Sequence, residues 1–235
     1  METTKTTTYE YDEGLRKFFV GVYAKLSLGL LITALLAYVS VAIPDFKAML
    51  YTLNSHGKLA YTMLGYIVTF APLALIFIIN RNSVKGSRFL YWSIAALMGL
   101  SLGANFLIYT GTSLASTFII TAGAFGGLSI YGYVTKHNRN AIGRFAFMAL
   151  FGMILIMILN LFIQSTIIQI VMSVVGLGIF AVLTAYDTQK LKQTYEDSIN
   201  DPERREIASN IGALELYLDF VNLFLLFLRL FGQRK

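Results

Sequence analysis

Long apolar blocks constrain the fold of this chain more than any other feature of its sequence. Seven of them reach, or nearly reach, the roughly 20 residues that an α-helix needs to cross a bilayer. The blocks run over residues 18–43, 59–80, 89–109, 114–134, 142–163, 167–186 and 211–231. Because unpaired backbone groups are costly in lipid, each block is expected to be helical. We therefore predict an all-α polytopic membrane protein, a bundle of seven transmembrane helices.

Composition supports this class and excludes others. Of the 235 residues, 56% are hydrophobic and 14% are charged, whereas soluble domains have roughly 25% charged residues. The absence of cysteine excludes disulfides, thiolate catalysis and Cys-ligated metals. His56 and His137, the two histidines, lie in polar stretches and are predicted to be solvated loop residues. The net charge of +6 does not predict nucleic-acid binding, because the basic residues lie at the ends of apolar blocks and not on one face.

The placement of Lys and Arg predicts the topology. Basic residues are concentrated before the first block and in the second, fourth and sixth connections, which places those segments in the cytoplasm. Residues 1–17 are thus predicted to be a polar cytoplasmic segment. Residues 18–235 are predicted to be a single seven-helix domain with a charged cytoplasmic loop at about 188–210. Seven crossings would place Arg234 and Lys235 outside the cytoplasm, although basic residues favour the cytoplasmic side. The last segment is therefore either re-entrant or held outside by its partners.

The seventh block is the most polar of the seven. It reads LELYLDFVNLFLLFLRLFG and contains Glu215, Asp219, Asn222 and Arg229. A charge at the centre of a membrane helix costs roughly 2.5–3.5 kcal/mol on translocon scales. Glu215, Asp219 and Asn222 share one helical face because they are four and three residues apart. We therefore predict that the last helix is central in the bundle, shielded from lipid by the other six.

Two carboxylates and one cation are predicted to reach the same depth. Asp219 lies about two turns into the seventh helix from its cytoplasmic end, Asp187 ends the sixth helix on that side, and Arg81 ends the second. Two carboxylates at low dielectric cannot both ionise cheaply, so they would share a proton over some pH window. Arg81 would favour the ionised pair and act as a latch. This arrangement predicts a pH-sensitive gate on a cation path.

Simpler interpretations are available for the same residues. Asp187 at a helix end is compatible with solvation in cytoplasmic water, and Arg81 with an ordinary positively charged flank. Glu215 is expected to be solvated or paired with a loop lysine. Lys25, inside the first block, is expected to reach the cytoplasmic face by snorkelling.

Two segments near the C-terminus resemble a known family. AYDTQKLK at 185–192 and LYLDFVNLFLLFLRLFG at 216–232 resemble signatures of the Bax inhibitor-1 family, also called the transmembrane Bax-inhibitor-motif family. The polar N-terminus, the seven-block pattern and the basic second connection are similar as well. The resemblance is to bacterial members, which implies a multi-pass protein of a bacterial inner membrane with a cytoplasmic N-terminus.

This resemblance also implies a function. A seven-helix bundle with a central last helix, a paired-aspartate pH sensor and a calcium leak are expected, with Asp187 and Asp219 as the pair and Arg81 as the gating arginine. Glu215 and Asn222 are secondary candidates. Calcium prefers six to eight oxygen ligands, more than two aspartates with an amide and water provide. Weak, transient calcium binding by Asp187 and Asp219 is therefore expected, with calcium as the permeant ion and no resident cofactor.

Other function classes fit less well. GGLSIYG, with Ser129, loosely resembles a serine-protease motif, but the sequence offers no membrane-embedded histidine to activate it. The two aspartates lack the sequence settings typical of intramembrane aspartyl proteases. We predict that the protein is not an enzyme. The alternative to a leak channel is a non-conducting regulator of the membrane that binds a protease or another membrane protein through its charged loop.

Overall fold

A computed structural model of the protein describes residues 2–55, 57, 59–135 and 139–235. The predictions for His56 and His137 lie outside the described residues. The described part forms helices and one two-stranded antiparallel sheet. In chain order the elements are α1 Glu2–Ala42, α2 Pro44–Leu50, β1 Tyr51–Leu53, β2 Leu59–Tyr61, α3 Met63–Ile78, α4 Val84–Leu102, α5 Ala104–Ile108, α6 Gly111–Val134, α7 Arg139–Ile163, α8 Thr166–Asp197 and α9 Pro202–Phe231.

Within the described residues, six helical segments are long and apolar enough to cross a membrane. They are Glu13–Ala42, Val84–Ile108, Gly111–Val134, Gly143–Asn160, Thr166–Asp197 and Pro202–Phe231. Large apolar side chains such as Phe77 and Phe162 are exposed on the helices, as expected for contact with lipid. The all-α multi-pass architecture is confirmed. The helix of the second predicted block, α3, has 16 residues and spans about 24 Å, so a seventh crossing stays a prediction.

The charged segment predicted as a loop at about 188–210 is mostly helical. Helix α8 continues to Asp197 and α9 begins at Pro202, which leaves 198–201 as the connection. Asp201 caps α9, because its Oδ1 accepts from the backbone N–H groups of Glu203 and Arg204, each at 3.0 Å, and Pro202 occupies the first helical position. Lys, Gln, Glu and Arg are good helix formers. The many charged residues of this segment lie on the solvent-facing ends of α8 and α9, and the prediction of a loop is wrong.

Two other boundaries differ from the prediction. Helix α1 begins at Glu2, so the polar segment 1–17 continues into the first span without a break among the described residues. The first connection contains α2 and the β1–β2 hairpin, in which Tyr51 is paired with Tyr61. Thr62 then caps α3 by accepting from Gly65 N–H at 3.1 Å. The second apolar block therefore starts as a strand.

The chain divides into two compact units, which are described separately, and the single seven-helix domain stays a prediction. The first unit comprises the chain up to Tyr109 with Tyr195–Leu214 and Lys235, and the second comprises Thr110–Thr194 and Glu215–Arg234. In the first unit α1 lies along α4. Thr33 Oγ1 donates to the Ala95 carbonyl at 2.9 Å, and a Cβ on Gly99 would lie 2.8 Å from the Thr33 carbonyl.

Aromatic and glycine contacts bring three helices of the second unit together. The rings of Phe118 and Phe125 on α6 lie 5.4 Å from the ring of Phe220 on α9. A Cβ on Gly132 would lie 2.3 Å from the Ala185 carbonyl oxygen, so α6 can approach α8 this closely only with glycine at that position. These contacts bring the α8 and α9 residues near 187 and 219 against α6.

Helix α9 is the most shielded of the six candidate spans. In its apolar stretch 61% of the residues are buried, against 22–33% in the other five. This agrees with the cost of leaving its ionisable residues in lipid.

The tail after α9 is hydrogen-bonded to the start of α6. Gln233 N donates to Ser113 Oγ at 3.0 Å, and Thr110 N donates to the Gln233 carbonyl at 3.1 Å. The helix therefore ends on the side of the second unit where α6 begins, which favours a complete crossing over a re-entrant segment.

Candidate functional site

Asp187 and Asp219 lie against each other in the second unit. Asp187 is on α8 and is 7% exposed, while Asp219 is on α9 and is 5% exposed. Their side chains are joined by a hydrogen bond. The structure therefore brings together the two carboxyl groups that the sequence singled out, away from lipid and bulk solvent. Solvation of Asp187 in open water at a helix end does not agree with this burial.

The hydrogen bond determines what this pair can do chemically. A bond between two carboxyl groups needs a proton, so one of them carries it when the bond is made. Loss of that proton leaves two negative charges in contact at low dielectric, and a second proton makes the pair neutral. The charge and the geometry of the pair are thus tied to the proton concentration. Asp219 Oδ2 is buried, and no N–H or hydroxyl group in the part of the chain that the structure describes donates to it.

An ion pair lies one turn along the same two helices. Lys190 Nζ on α8 donates to Glu215 Oε1 on α9 at 2.7 Å. Lys190 is three residues after Asp187 and Glu215 is four before Asp219, so the two pairs share a face on each helix. Both charges act electrostatically on both aspartates. Glu215 is paired with a lysine as expected, but that lysine belongs to a helix and not to a loop.

The remaining predicted site residues are placed differently. Asn222 Nδ2 donates to the Leu218 carbonyl of its own helix at 2.7 Å, so its amide donor is used within α9. Arg81 lies in the turn after α3, in the first unit, with its side chain exposed. Its role as the gating arginine stays a prediction.

The acidic pair offers oxygen donors of the kind that hard cations prefer. No group of three or more His, Cys, Asp or Glu side chains within the described ranges is arranged to hold a metal ion. Calcium binding at the acidic pair stays a prediction.

Ser129, the serine of the GGLSIYG segment, is buried on α6 with 6% exposure. Its Oγ has no hydrogen-bond partner among the described residues. A nucleophilic serine needs a base within hydrogen-bond reach, and no described side chain provides one.

Sequence reasoning missed a polar cluster in the first unit, which we call the Lys25 cluster. Lys25 Nζ donates to Asn210 Oδ1 at 2.7 Å, Ser209 Oγ at 2.9 Å and Glu206 Oε1 at 3.3 Å. Arg88 also donates to Glu206 Oε1, at 3.2 Å. Lys25 therefore bonds to the first turns of α9, close to the exposed Arg88, and its side chain is 22% exposed. Its reach to the cytoplasmic face stays a prediction. The sequence carried no spacing signal for partners 181 to 185 residues away.

Comparison with known proteins adds independent information. The model of the family described as "Inhibitor of apoptosis-promoting Bax1" matches residues 15–235. An uncharacterised protein of Caulobacter vibrioides is 41% identical over 228 residues, which cover 95% of this chain and 91% of that protein. The inner membrane protein YbhL of Escherichia coli K12 is 38% identical over 227 residues, 94% of each chain. An uncharacterised protein of Rickettsia prowazekii is 37% identical over 237 residues, 99% of this chain and 96% of that one.

Proposed function

Because the chain belongs to the Bax inhibitor-1 family, we propose that it is a pH-sensitive calcium-leak channel or transporter of a bacterial inner membrane. The observation that carries the proposal is the buried hydrogen bond between Asp187 and Asp219, on two helices that are each long and apolar enough to span the membrane. The inner-membrane location is supported by the name of the Escherichia coli relative. A cytoplasmic N-terminus is part of the proposal and follows from the distribution of Lys and Arg.

The proposed architecture places α9 at the centre of seven crossings. Its shielding, about twice that of any other candidate span, supports this position. Helix α3 would make the seventh crossing as a short helix, which local thinning of the bilayer or tilt of its neighbours accommodates at modest cost.

The proposed gate works through the charge of the acidic pair. When the pair is ionised it attracts a cationic side chain, and this attraction holds the closed state. As pH falls, protons neutralise the pair, the cation is released, and flux rises. Lys190 is the cation that lies beside the pair through its bond to Glu215, and Arg81 is proposed as the latch that closes the path.

Calcium is proposed as the permeant ion because carboxylate oxygens suit it and the site has few of them. Few ligands mean weak binding, and an ion that binds weakly can leave again, as permeation requires. No resident cofactor is part of the proposal.

Purified protein in liposomes that contain a calcium-sensitive dye tests the proposal. Calcium entry is expected to rise on acidification, and Asp187→Asn and Asp219→Asn are expected to lose most of that pH dependence. Arg81→Ala is expected to raise entry at neutral pH. Asp197→Asn, an exposed aspartate at the end of α8, is the matched control and should behave as wild type.

Two outcomes would count against the proposal. Equal calcium entry into empty and protein-containing vesicles would remove the channel and favour a non-conducting regulator that binds a protease or another membrane protein. Wild-type entry at every pH in Arg81→Ala would remove only the latch.

A further inference from the structure

Helix α8 is held by α6 on one face and by α9 on a nearly opposite face. Residues 187 and 190 carry the groups that bond to α9. Residues 185, 189 and 192 share the other face, because they are four and three residues apart. At about 100° per residue, the two faces lie roughly 160° apart around the helix. The contacts on the α6 side therefore set how Asp187 is presented to α9.

Two side chains of α8 bond to the C-terminal end of α6. Gln189 Nε2 donates to the Thr135 carbonyl at 3.1 Å, and Lys192 Nζ donates to the Tyr133 carbonyl. Lys192 Nζ also lies over the ring of Tyr133, 4.0 Å from its centroid. The last turn of α6 contains no basic residue of its own. Helix α8 therefore provides the donors and the positive charge that the carbonyl end of a helix favours.

Close packing holds α8 in the same place. A Cβ on Gly132 would lie 2.3 Å from the Ala185 carbonyl oxygen, so α6 and α8 touch there without an intervening side chain. Towards α7, a Cβ on Gly143 would lie 2.3 Å from the Tyr186 ring, and Phe147 contacts that ring edge-on at 6.2 Å between centroids. None of these contacts involves a carboxyl group. They hold α8 against α6 and α7 whatever the state of the acidic pair.

We infer that Gln189 and Lys192 are positioning residues, which fix the end of α8 on α6 and thereby hold Asp187 against Asp219. The inference rests on the proposed function, because it gives these residues a part in the pH response of that site. Carboxyl groups that are held in place cannot separate when they ionise, so their full mutual repulsion opposes ionisation. When the contacts to α6 are lost, the ionised groups can move apart and repel each other less.

The charged groups that act on Asp187 come from α8 and α9. They are Asp219, Glu215 and Lys190. Helix α6 contains no Asp, Glu, His, Lys or Arg, and Arg144 on α7 is exposed. Gln189 is uncharged, so replacing it changes the geometry of the pair and leaves these charges as they are.

The pH dependence of calcium entry into proteoliposomes tests the inference. Gln189→Leu removes the donor at similar size. It is expected to lower the midpoint of the flux–pH curve by roughly 0.5 pH unit, about a threefold change in proton concentration. Gln193→Leu is the matched control, because Gln193 is an exposed glutamine one turn later on the same helix, and it should match wild type.

The two neighbouring lysines of α8 provide a test of sign. Lys192 bonds to α6 on the face of α8 opposite to Asp187, so Lys192→Met acts through geometry and should lower the midpoint as Gln189→Leu does. Lys192→Arg, which keeps a charged donor, should restore the wild-type midpoint. Loss of a positive charge beside the pair, as in Lys190→Met, should raise the midpoint instead. A rise in Lys192→Met would therefore overturn its positioning role.

Two further measurements separate positioning from stability and from the leak itself. In Gln189→Leu, a lower thermal midpoint in detergent with an unchanged flux–pH curve would overturn the inference while the proposed function stands. The infrared carboxyl bands of the purified protein, titrated with pH and assigned with Asp219→Asn, report protonation of the pair without flux. Their midpoint should fall in Gln189→Leu by the same amount as that of flux. Absence of flux in wild type together with this infrared shift would overturn the leak and support the positioning role.

Discussion

The partly exposed Lys25 cluster and the buried acidic pair hold charged groups between helices in opposite ways. In the Lys25 cluster each charge has partners of opposite sign or of matching hydrogen-bond type, and Glu206 accepts from both Lys25 and Arg88. Asn210 completes it by donating to Ser87 Oγ at 3.1 Å. The acidic pair joins two groups of like charge, and no N–H or hydroxyl group within the described residues donates to Asp219 Oδ2.

This difference separates a structural role from a switching role. A cluster of opposite charges joined by several hydrogen bonds has one favoured arrangement, and it fixes the helices that carry it. A pair of like charges has arrangements that depend on how many protons it holds. We therefore expect the first unit to lose stability when its cluster is broken, and the second to lose regulation when its pair is changed.

The largest effect on stability is expected from Lys25→Met. Removing the ammonium leaves Glu206, Ser209 and Asn210 without their common donor, and we expect a loss of about 1–3 kcal/mol of unfolding free energy. Thermal unfolding in detergent, followed by circular dichroism, measures it. Lys17→Met is the control, since Lys17 is 73% exposed in its pair with Glu13 and exposed pairs contribute at most about 1 kcal/mol. Equal losses in the two variants would break the comparison.

Asp219→Asn should act in the opposite direction on stability. It removes a buried charge that faces another carboxyl group, so unfolding free energy at neutral pH is expected to rise by about 1 kcal/mol while the pH response of flux is lost. Thermal midpoints over a pH series provide the test, with Asp197→Asn as the exposed counterpart. A destabilisation as large as that of Lys25→Met would mean that the acidic pair holds the fold and does not regulate it.

The smallest effects are expected at the ion pair beside the aspartates, and they have opposite signs. Lys190→Met removes a positive charge, so the aspartates take up protons more readily and the midpoint of the flux–pH curve should rise by roughly 0.5–1 pH unit. Glu215→Gln removes a negative charge and should lower it by a similar amount. The double variant should lie near wild type because the two changes compensate. Shifts of the same sign in both single variants would contradict an electrostatic role.

Much of the site was accessible from sequence for a simple reason. Asp187 and Asp219 lie in apolar stretches of sequence, where an unpaired charge costs free energy in lipid. Each carboxyl group was therefore expected to be buried between helices. Antiparallel neighbouring helices then bring the two groups to the same depth. The Lys190–Glu215 bond could have been found in the same way, from residues one turn beyond each aspartate. The partners of Lys25 could not, because α1 and α9 are remote in sequence and no local spacing connects them.

Helix boundaries were predicted less well where charged segments were interpreted as loops. Charged residues at 188–197 and 202–210 lie on helices because a helix tolerates them on its solvent-facing side. The β1–β2 hairpin pairs Tyr51 with Tyr61. The sequence around these residues has no alternation of polar and apolar residues that would have predicted the two strands.

The sequence by itself determined that the chain is a multi-pass helical membrane protein with a polar last helix, because apolar length and the cost of charge in lipid are local properties. Which oxygens meet was decided only by tertiary structure. The Asp187–Asp219 bond, the partners of Lys25 and the unpaired oxygen of Ser129 depend on how helices rotate and approach, as at Gly132, where a missing side chain lets α6 reach α8. Such contacts arise from packing between remote segments, and periodicity along one helix cannot specify them.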